Sequence, residues 1–354
     1  MNASRPGNRP PSITPNSESE LEHALSAPDQ RTIDALAALP GDVAILGAGG
    51  KMGPTIARMA RRAIDDRGRR VFAVSRFSDP SVSDALSAAG VHVIRADLSD
   101  PKAVVGLPDA ANVVWMAGQK FGTANDPVGA WTHNVVASVH AAERYAGARI
   151  VCFSTGNVYG PSPLSAGGSR EGDEPRPDGN YAASCVGRER VFSAVARRTG
   201  SPLLLYRLFY ACDLRYGVVT DLALKILQRQ PISLATGAVN VIWQGDANRL
   251  ALRALACTTV PSATAEPLSL NATGPLVMVR ELAERLGAIA GIPPLFVDTP
   301  ADQALVANVD RLSQLLPYEA LSLDELCEWT IAWIRADGRL LHKPTKFEVR
   351  DGRF

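Results

Sequence analysis

The stretch Val43-Ala44-Ile45-Leu46-Gly47-Ala48-Gly49-Gly50-Lys51-Met52-Gly53-Pro54 decides how this chain folds. Four apolar residues in succession predict a buried strand. Glycines then recur at 47, 50 and 53, and Pro54 falls where the first turn of a helix needs no N–H. A strand that runs through glycines into a helix suits a dinucleotide diphosphate. One glycine makes the tight turn, one lets the backbone approach the diphosphate, and one lets helix and strand pack closely. The helix N-terminus adds free N–H groups and partial positive charge. A second strand, Val71 to Ser75, completes a βαβ unit. Gly47, Gly49, Gly50, Lys51, Met52 and Gly53 are therefore the candidate cofactor-binding turn.

The end of that second strand bears on which dinucleotide is held. A carboxylate there accepts the ribose hydroxyls of NAD, whereas Arg or Ser makes room for the extra phosphate of NADP. The residues are Ser75 and Arg76, and the next acid is Asp79. NADP is expected, with NAD as the alternative.

Outward from the turn, strand-like runs at 91–95, 112–116, 149–154 and 203–207 alternate with helix-like stretches at 54–67, 81–89, 129–145 and 181–199. Continuous apolar runs between helices predict an α/β fold with a doubly wound parallel sheet covered on both faces. From about Tyr216 the helices at 221–230, 244–257, 279–290 and 322–336 mix with shorter strands, which predicts a smaller C-terminal lobe over 216–336 beside a dinucleotide domain over 42–215. Residues 1–19, rich in Pro, Ser and Asn, read as a disordered tail. A short helix from Asp29 then leads to Pro40-Gly41, and 337–354 forms a C-terminal arm that packs on a neighbour or over the site. The Trp329 and Trp333 pair reads as core of the lobe, and Asp246 as structural or close to substrate.

Composition narrows the function. The 354 residues are 46% hydrophobic and 21% charged, with a formal net charge of +1. That balance gives no electrostatic reason to expect nucleic acid or a membrane surface as partner. No apolar run reaches the roughly 18 residues of a membrane span, and no signal-like N-terminus is seen. A cytoplasmic protein acting on a small polar molecule is expected. The five cysteines and five histidines are scattered, which predicts free thiols and no metal site.

Three further segments fall in order: Arg95-Ala96-Asp97-Leu98 at the end of the third strand, Phe153-Ser154-Thr155-Gly156-Asn157-Val158-Tyr159-Gly160 after the fifth, and Tyr181-Ala182-Ala183-Ser184-Cys185 opening a helix. With the glycine spacing, they make residues 42–335 similar to the extended short-chain dehydrogenase/reductase family, the group of NAD-dependent epimerases, dehydratases and reductases. The resemblance implies a Rossmann domain with a substrate-binding lobe. It implies that Asp97 and Leu98 flank the adenine, that Met116, Ala117 and Gly118 line the cofactor, and that Asn134 helps hold the site. Thr155 corresponds to the Ser/Thr that hydrogen-bonds the reacting oxygen, and Tyr181 to the tyrosine that exchanges a proton with it during hydride transfer. Asn157, Tyr206 and Tyr210 are expected near substrate. A sugar-like or sugar-nucleotide substrate and a homodimer paired through the helices at 129–145 and 181–199 follow from the same resemblance.

One position departs from it. The family carries Tyr-x-x-x-Lys, and here Cys185 stands four residues after Tyr181. Positions i and i+4 share a helix face, so the usual lysine stabilises the phenolate. A cation about 4 Å away at an effective dielectric near 20 is worth roughly 4 kcal/mol, or about three pKa units. Lys120 is the first candidate to supply that charge. Arg188, seven residues after Tyr181 on the same helical face, with a solvent-facing guanidinium as the alternative, and Lys343 or Lys346 of the arm follow. Cys185 itself is a small filler, a reactive thiol, or the mark of a binding protein that has lost catalysis.

Overall fold

The computed structural model describes residues 14–64, 68–262, 264–343, 345 and 347–348. Its centre is a seven-stranded, wholly parallel sheet. The strands are β1 (Val43–Leu46), β2 (Val71–Ser75), β3 (His92–Arg95), β4 (Asn112–Trp115), β5 (Arg149–Thr155), β6 (Leu203–Leu208) and β7 (Leu268–Ala272). Their spatial order, β3-β2-β1-β4-β5-β6-β7, reverses direction between β1 and β4. Ligands of open α/β sheets sit at such a switch point, outside the carboxyl ends of the strands. All four residues of β1 are buried, as are all four of β4, because helices cover both faces.

The helices that matter for the site are α1 (Glu18–Leu25), α2 (Gln30–Ala37), α3 (Gly53–Ala63), α4 (Pro80–Ala88), α5, α6 (Gly179–Thr199), α7 (Val218–Leu227), α8 (Gln244–Ala254), α9 (Val279–Ala290) and α10 (Leu323–Arg335). Helix α5 begins at Pro127–Trp131, passes through one π-helical turn at Thr132–Val136 and ends at Ala137–Arg144. One face of the sheet packs on α2, α3 and α8 through residues such as Ile56, Met59, Leu250 and Leu270. The other packs on α5 and α6 through Trp115, Ala141 and Phe192. A second apolar core gathers α7, α9 and α10, with Trp329 edge-on to Trp243 at 5.7 Å between ring centroids.

The chain crosses the division expected at Tyr216. Strand β7 and helix α8 come from beyond it and pack with the sheet, so 216–336 contributes to both cores. Part of the expected tail is also ordered: Ser17 caps α1, and Leu21 and Leu25 insert into the second core. Their i, i+4 spacing is the signal that the polar composition around them obscured. Residues 1–13 lie outside the described residues. No described helix is long and apolar enough to cross a membrane.

Candidate functional site

The glycine turn keeps its shape because side chains are excluded from it. Gly47 has φ +92, and a Cβ there would stand 2.4 Å from the Ala117 nitrogen after β4. A Cβ on Gly53 would meet the Ala48 carbonyl oxygen at 2.4 Å, so only glycine lets α3 start this close to β1. At Gly50 a Cβ would meet nothing closer than the Gly47 carbonyl oxygen at 3.4 Å and would fill the concavity itself. That bare concavity fits a diphosphate.

In front of the turn lies a cavity of about 400 Å³. Gly47, Gly50, Lys51, Met52 and Gly53 line it from the turn between β1 and α3, Met116, Gly118 and Lys120 from just after β4, and Thr155, Gly156 and Asn157 from the end of β5. Tyr181 lines it from α6, and Tyr210 and Tyr216 from the segment between β6 and α7. Thr345 and Phe347 of the C-terminal arm close it on a further side. The arm is tied there by Thr345, whose hydroxyl donates to Asp221 at 2.6 Å, and by the Lys225–Glu348 ion pair at 2.6 Å. Of the arm's lysines, Lys343 is exposed and Lys346 lies outside the described residues, as do 349–354.

Thr155 and Tyr181 meet. The Asn157 side-chain amide donates to the Thr155 hydroxyl at 2.9 Å, and that hydroxyl is hydrogen-bonded to the Tyr181 phenol. The phenol is also bonded to the Cys185 thiol. Burial raises the Tyr181 pKa above its ordinary value, and Cys185 raises it further, outweighing the opposite pull of Arg188 and Thr155. Cys185 is fully buried among Val158, Tyr159, Phe209 and Ala307, and burial pushes its thiol up as well. A thiol so held stays protonated at neutral pH, the opposite of a reactive one.

Arg188 takes the first of its two expected positions, on the Tyr181 face and not in solvent. Its side chain is buried, donating to the Phe153 carbonyl at 2.9 Å and the Asn134 side-chain oxygen at 2.7 Å, and its charge acts on both Tyr181 and Cys185. Residues 181, 185, 188 and 192 form one face of α6, and Cys185, Arg188 and Phe192 on it are all buried. Lys120 lines the cavity and acts on Cys185 more weakly than Arg188 does. Asn134, at the π-helical turn, accepts from the Gln119 nitrogen at 2.8 Å and donates to the Gln119 carbonyl and to Ser184, both at 2.9 Å. It therefore locks the loop after β4 to α6. Gly118 is needed beside it, since a Cβ there would fall 2.5 Å from the Arg188 guanidinium.

Tyr206 is a correction. Its hydroxyl donates to the Ala247 carbonyl at 2.8 Å and its ring packs on Phe153 beneath the sheet, so it does not reach the cavity. Successive strand residues face opposite ways, and the inward position expected for Tyr206 belongs to the other face. Tyr210, four residues on and at φ 35, does line the cavity. Asp246 is structural: it accepts from Arg249 and from the Leu321 nitrogen. Ser75 and Arg76 stand at the end of β2 beside Asp97, the Arg76 guanidinium 3.8 Å from the Asp97 carboxylate. Asp97 itself accepts from the Ser99 nitrogen and hydroxyl, which hold its carboxyl below the usual range, and Leu98 is buried against the sheet. The sequence reading missed Phe209 and Tyr216 as cavity walls; Phe209 fits only because residue 156 is glycine, whose Cβ would lie 2.1 Å from its ring.

The fold is similar to that of several solved proteins. "MoeE5 in complex with UDP-glucuronic acid and NAD" is 24% identical over 84% of this chain and 100% of its own, with a TM-score of 0.67. The UDP-glucose 4-epimerase of Thermus thermophilus, solved as a complex with NAD, is 20% identical over 83% and 99%, with a TM-score of 0.65. A putative epimerase from Burkholderia cenocepacia is 19% identical over 84% and 98%, with a TM-score of 0.68. No curated protein matches the chain. Residues 43–249 match the model of the NAD dependent epimerase/dehydratase family, and the chain belongs to that family.

Proposed function

We propose that the protein is a NAD(P)-dependent oxidoreductase or epimerase acting on a hydroxyl or carbonyl of a sugar-like or sugar-nucleotide substrate. The observation that carries this reading is the hydrogen-bonded Thr155–Tyr181 pair in the same cavity as the glycine turn. The bound dinucleotide supplies or accepts the hydride. The chain's own residues do the rest. Asn157 donates to Thr155 and so fixes the lone pairs of its hydroxyl, leaving its proton for Tyr181 or the reacting oxygen. Tyr181 holds the proton that this oxygen gains or loses. Its raised pKa keeps the phenol protonated at neutral pH, the form required when the reacting oxygen gains a proton, and leaves little phenolate to act as base in the opposite direction. Arg188 is the buried cation that offsets part of the missing lysine's charge, with Lys120 as a second, weaker one.

NADP is the favoured cofactor, because the Arg76 guanidinium is exposed at the end of β2 where an added phosphate is met; NAD is the alternative, since MoeE5 and the Thermus thermophilus UDP-glucose 4-epimerase were solved as complexes with NAD. Tyr181→Phe should lower turnover of a sugar-nucleotide substrate by roughly 100-fold or more with dinucleotide affinity within about threefold. Equal turnover in both forms would remove Tyr181 from the chemistry. One observation favours a second reading, dinucleotide binding or sensing without catalysis: a buried, protonated Cys185 where the family has lysine.

A homodimer is part of the proposal. Val128, Trp131, Val136 and Val139 leave an exposed apolar strip along α5, as expected of a face that pairs with a second copy. Light scattering that returned only the 37.6 kDa monomer would refute it.

A further inference from the structure

Lys51 is the one non-glycine position of the turn whose side chain crosses the cavity mouth. Its ammonium donates to the Ala211 carbonyl at 3.1 Å and lies 3.8 Å from the centroid of the Tyr216 ring. Ala211 and Tyr216 belong to the segment that leads from β6 into α7, so Lys51 joins the two walls between which a dinucleotide must enter. Among the described residues no carboxylate forms an ion pair with it. The nearest attraction comes from Asp213, but that carboxylate is buried and already held by Arg215 at 2.7 Å, which Glu22 of α1 holds in turn at 2.8 Å. Lys120 lines the same cavity and repels it. An ammonium with a neutral carbonyl and a ring face as partners, beside a second ammonium, gains most from an anion with several acceptor oxygens.

We infer that Lys51 is a latch for a diphosphate: its ammonium pairs with the diphosphate that the glycine turn cradles and ties it to the opposite wall of the cleft. The inference rests on the dinucleotide reading above, and it adds a side-chain cation to a site otherwise built from backbone. Two molecules of the proposed reaction carry that group, the dinucleotide and a sugar nucleotide. Proton linkage supports the latch. Water still reaches the Lys51 side chain, but protein crowds the ammonium, and this burial lowers its pKa to about 8, against the pull of Asp213 and Cys212 and with the push of Arg215 and Lys120. Cys212 and Tyr216 beside it stay protonated at pH 8, because burial pushes the thiol up to about 11 and the phenol to about 12. An arriving diphosphate raises the Lys51 pKa, so binding at pH 8 takes up roughly half a proton.

The test is calorimetric titration at pH 8 of the full chain and of its Lys51→Met and Lys51→Arg forms, in two buffers of different ionisation enthalpy. NADH and NADPH are the probes on one arm and UDP on the other. The latch predicts that Lys51→Met weakens dinucleotide binding about tenfold or more and abolishes the proton uptake. Lys51→Arg stays within about threefold of the unaltered protein, which also shows that the turn still folds. If UDP binding alone weakens tenfold, Lys51 meets the substrate's diphosphate and the latch on the cradled dinucleotide is overturned. If Lys51→Met binds all three within twofold of the unaltered protein, the latch is overturned and the cofactor reading survives. If the unaltered protein binds neither dinucleotide, the cofactor reading falls and the latch on the dinucleotide with it.

Discussion

The two ends of the cavity are built on different principles. At the glycine turn the ligand-facing surface is backbone, and what the sequence must supply is the absence of side chains at Gly47, Gly50 and Gly53. At the Tyr181 end the surface is side chains, and their worth depends on charges a few ångströms away. The second end joins Thr155, Asn157 and Tyr181 in one hydrogen-bonded chain beside the buried Cys185 thiol, with a buried cation, Arg188, on the same helix face. A backbone cradle has few acceptable sequences but needs no tuning, whereas a charge can be relocated along a helix face at the expense of the pKa it sets.

The comparison breaks most visibly at Gly53. Gly53→Val brings a Cβ against the Ala48 carbonyl at 2.4 Å, where backbone rather than a flexible tip must move. Dinucleotide affinity should fall by about 100-fold or more, or the protein should fail to fold, at a cost of about 3 kcal/mol or more. A variant with native melting temperature and native NADH affinity would mean that the close approach of α3 to β1 is not what forms the cradle.

A smaller effect is expected from pH. The raised pKa of Tyr181, caused first by burial and then by Cys185, keeps the phenol protonated through neutral pH. When Tyr181 acts as base, less than about one molecule in 100 is in the active form at pH 8, so kcat/KM should rise about tenfold per unit between pH 7 and 9 without a plateau. In the reductive direction, with Tyr181 as acid, the phenol contributes no change over that range. A plateau near pH 7 in the oxidative direction would show that some cation lowers the phenol as the family's lysine does.

The smallest effect, and the sharpest for the comparison, is that of Cys185→Lys. The position is fully buried, and Arg188 already acts on it. A second cation there should cost about 1 to 3 kcal/mol, lowering the melting temperature by several degrees, and should not raise turnover. A gain of tenfold or more at unchanged melting temperature would mean that the site still awaits its ammonium.

What was legible follows the same division. Strands β1 to β6 were placed within a residue or two, since continuous apolar runs of four to seven residues between helical patterns have one economical reading. Strand β7 was not, because Leu268–Ala272 alternates apolar with polar residues, follows a Pro- and Thr-rich stretch and pairs with β6 across some 60 residues of intervening chain. The glycine turn was legible because its chemistry is local. Thr155 and Tyr181 were legible only through several motifs in order. Arg188 was legible as a candidate from the helix face it shares with Tyr181, but its burial was not, because a charged residue on a helix is most often solvated. Tyr206 was misread by one strand register, since adjacent residues of β6 face opposite sides of the sheet. That Lys51 spans the cleft depends on Ala211 and Tyr216, 160 residues and more away, and no local pattern records it.

The most direct measurement is a fluorescence titration of the purified full chain with NADH and with NADPH. Saturable binding of at least one, at micromolar to tens of micromolar concentration and lost in Gly53→Val, is the predicted result. Neither nucleotide binding at millimolar concentration to protein that melts cooperatively would contradict the account.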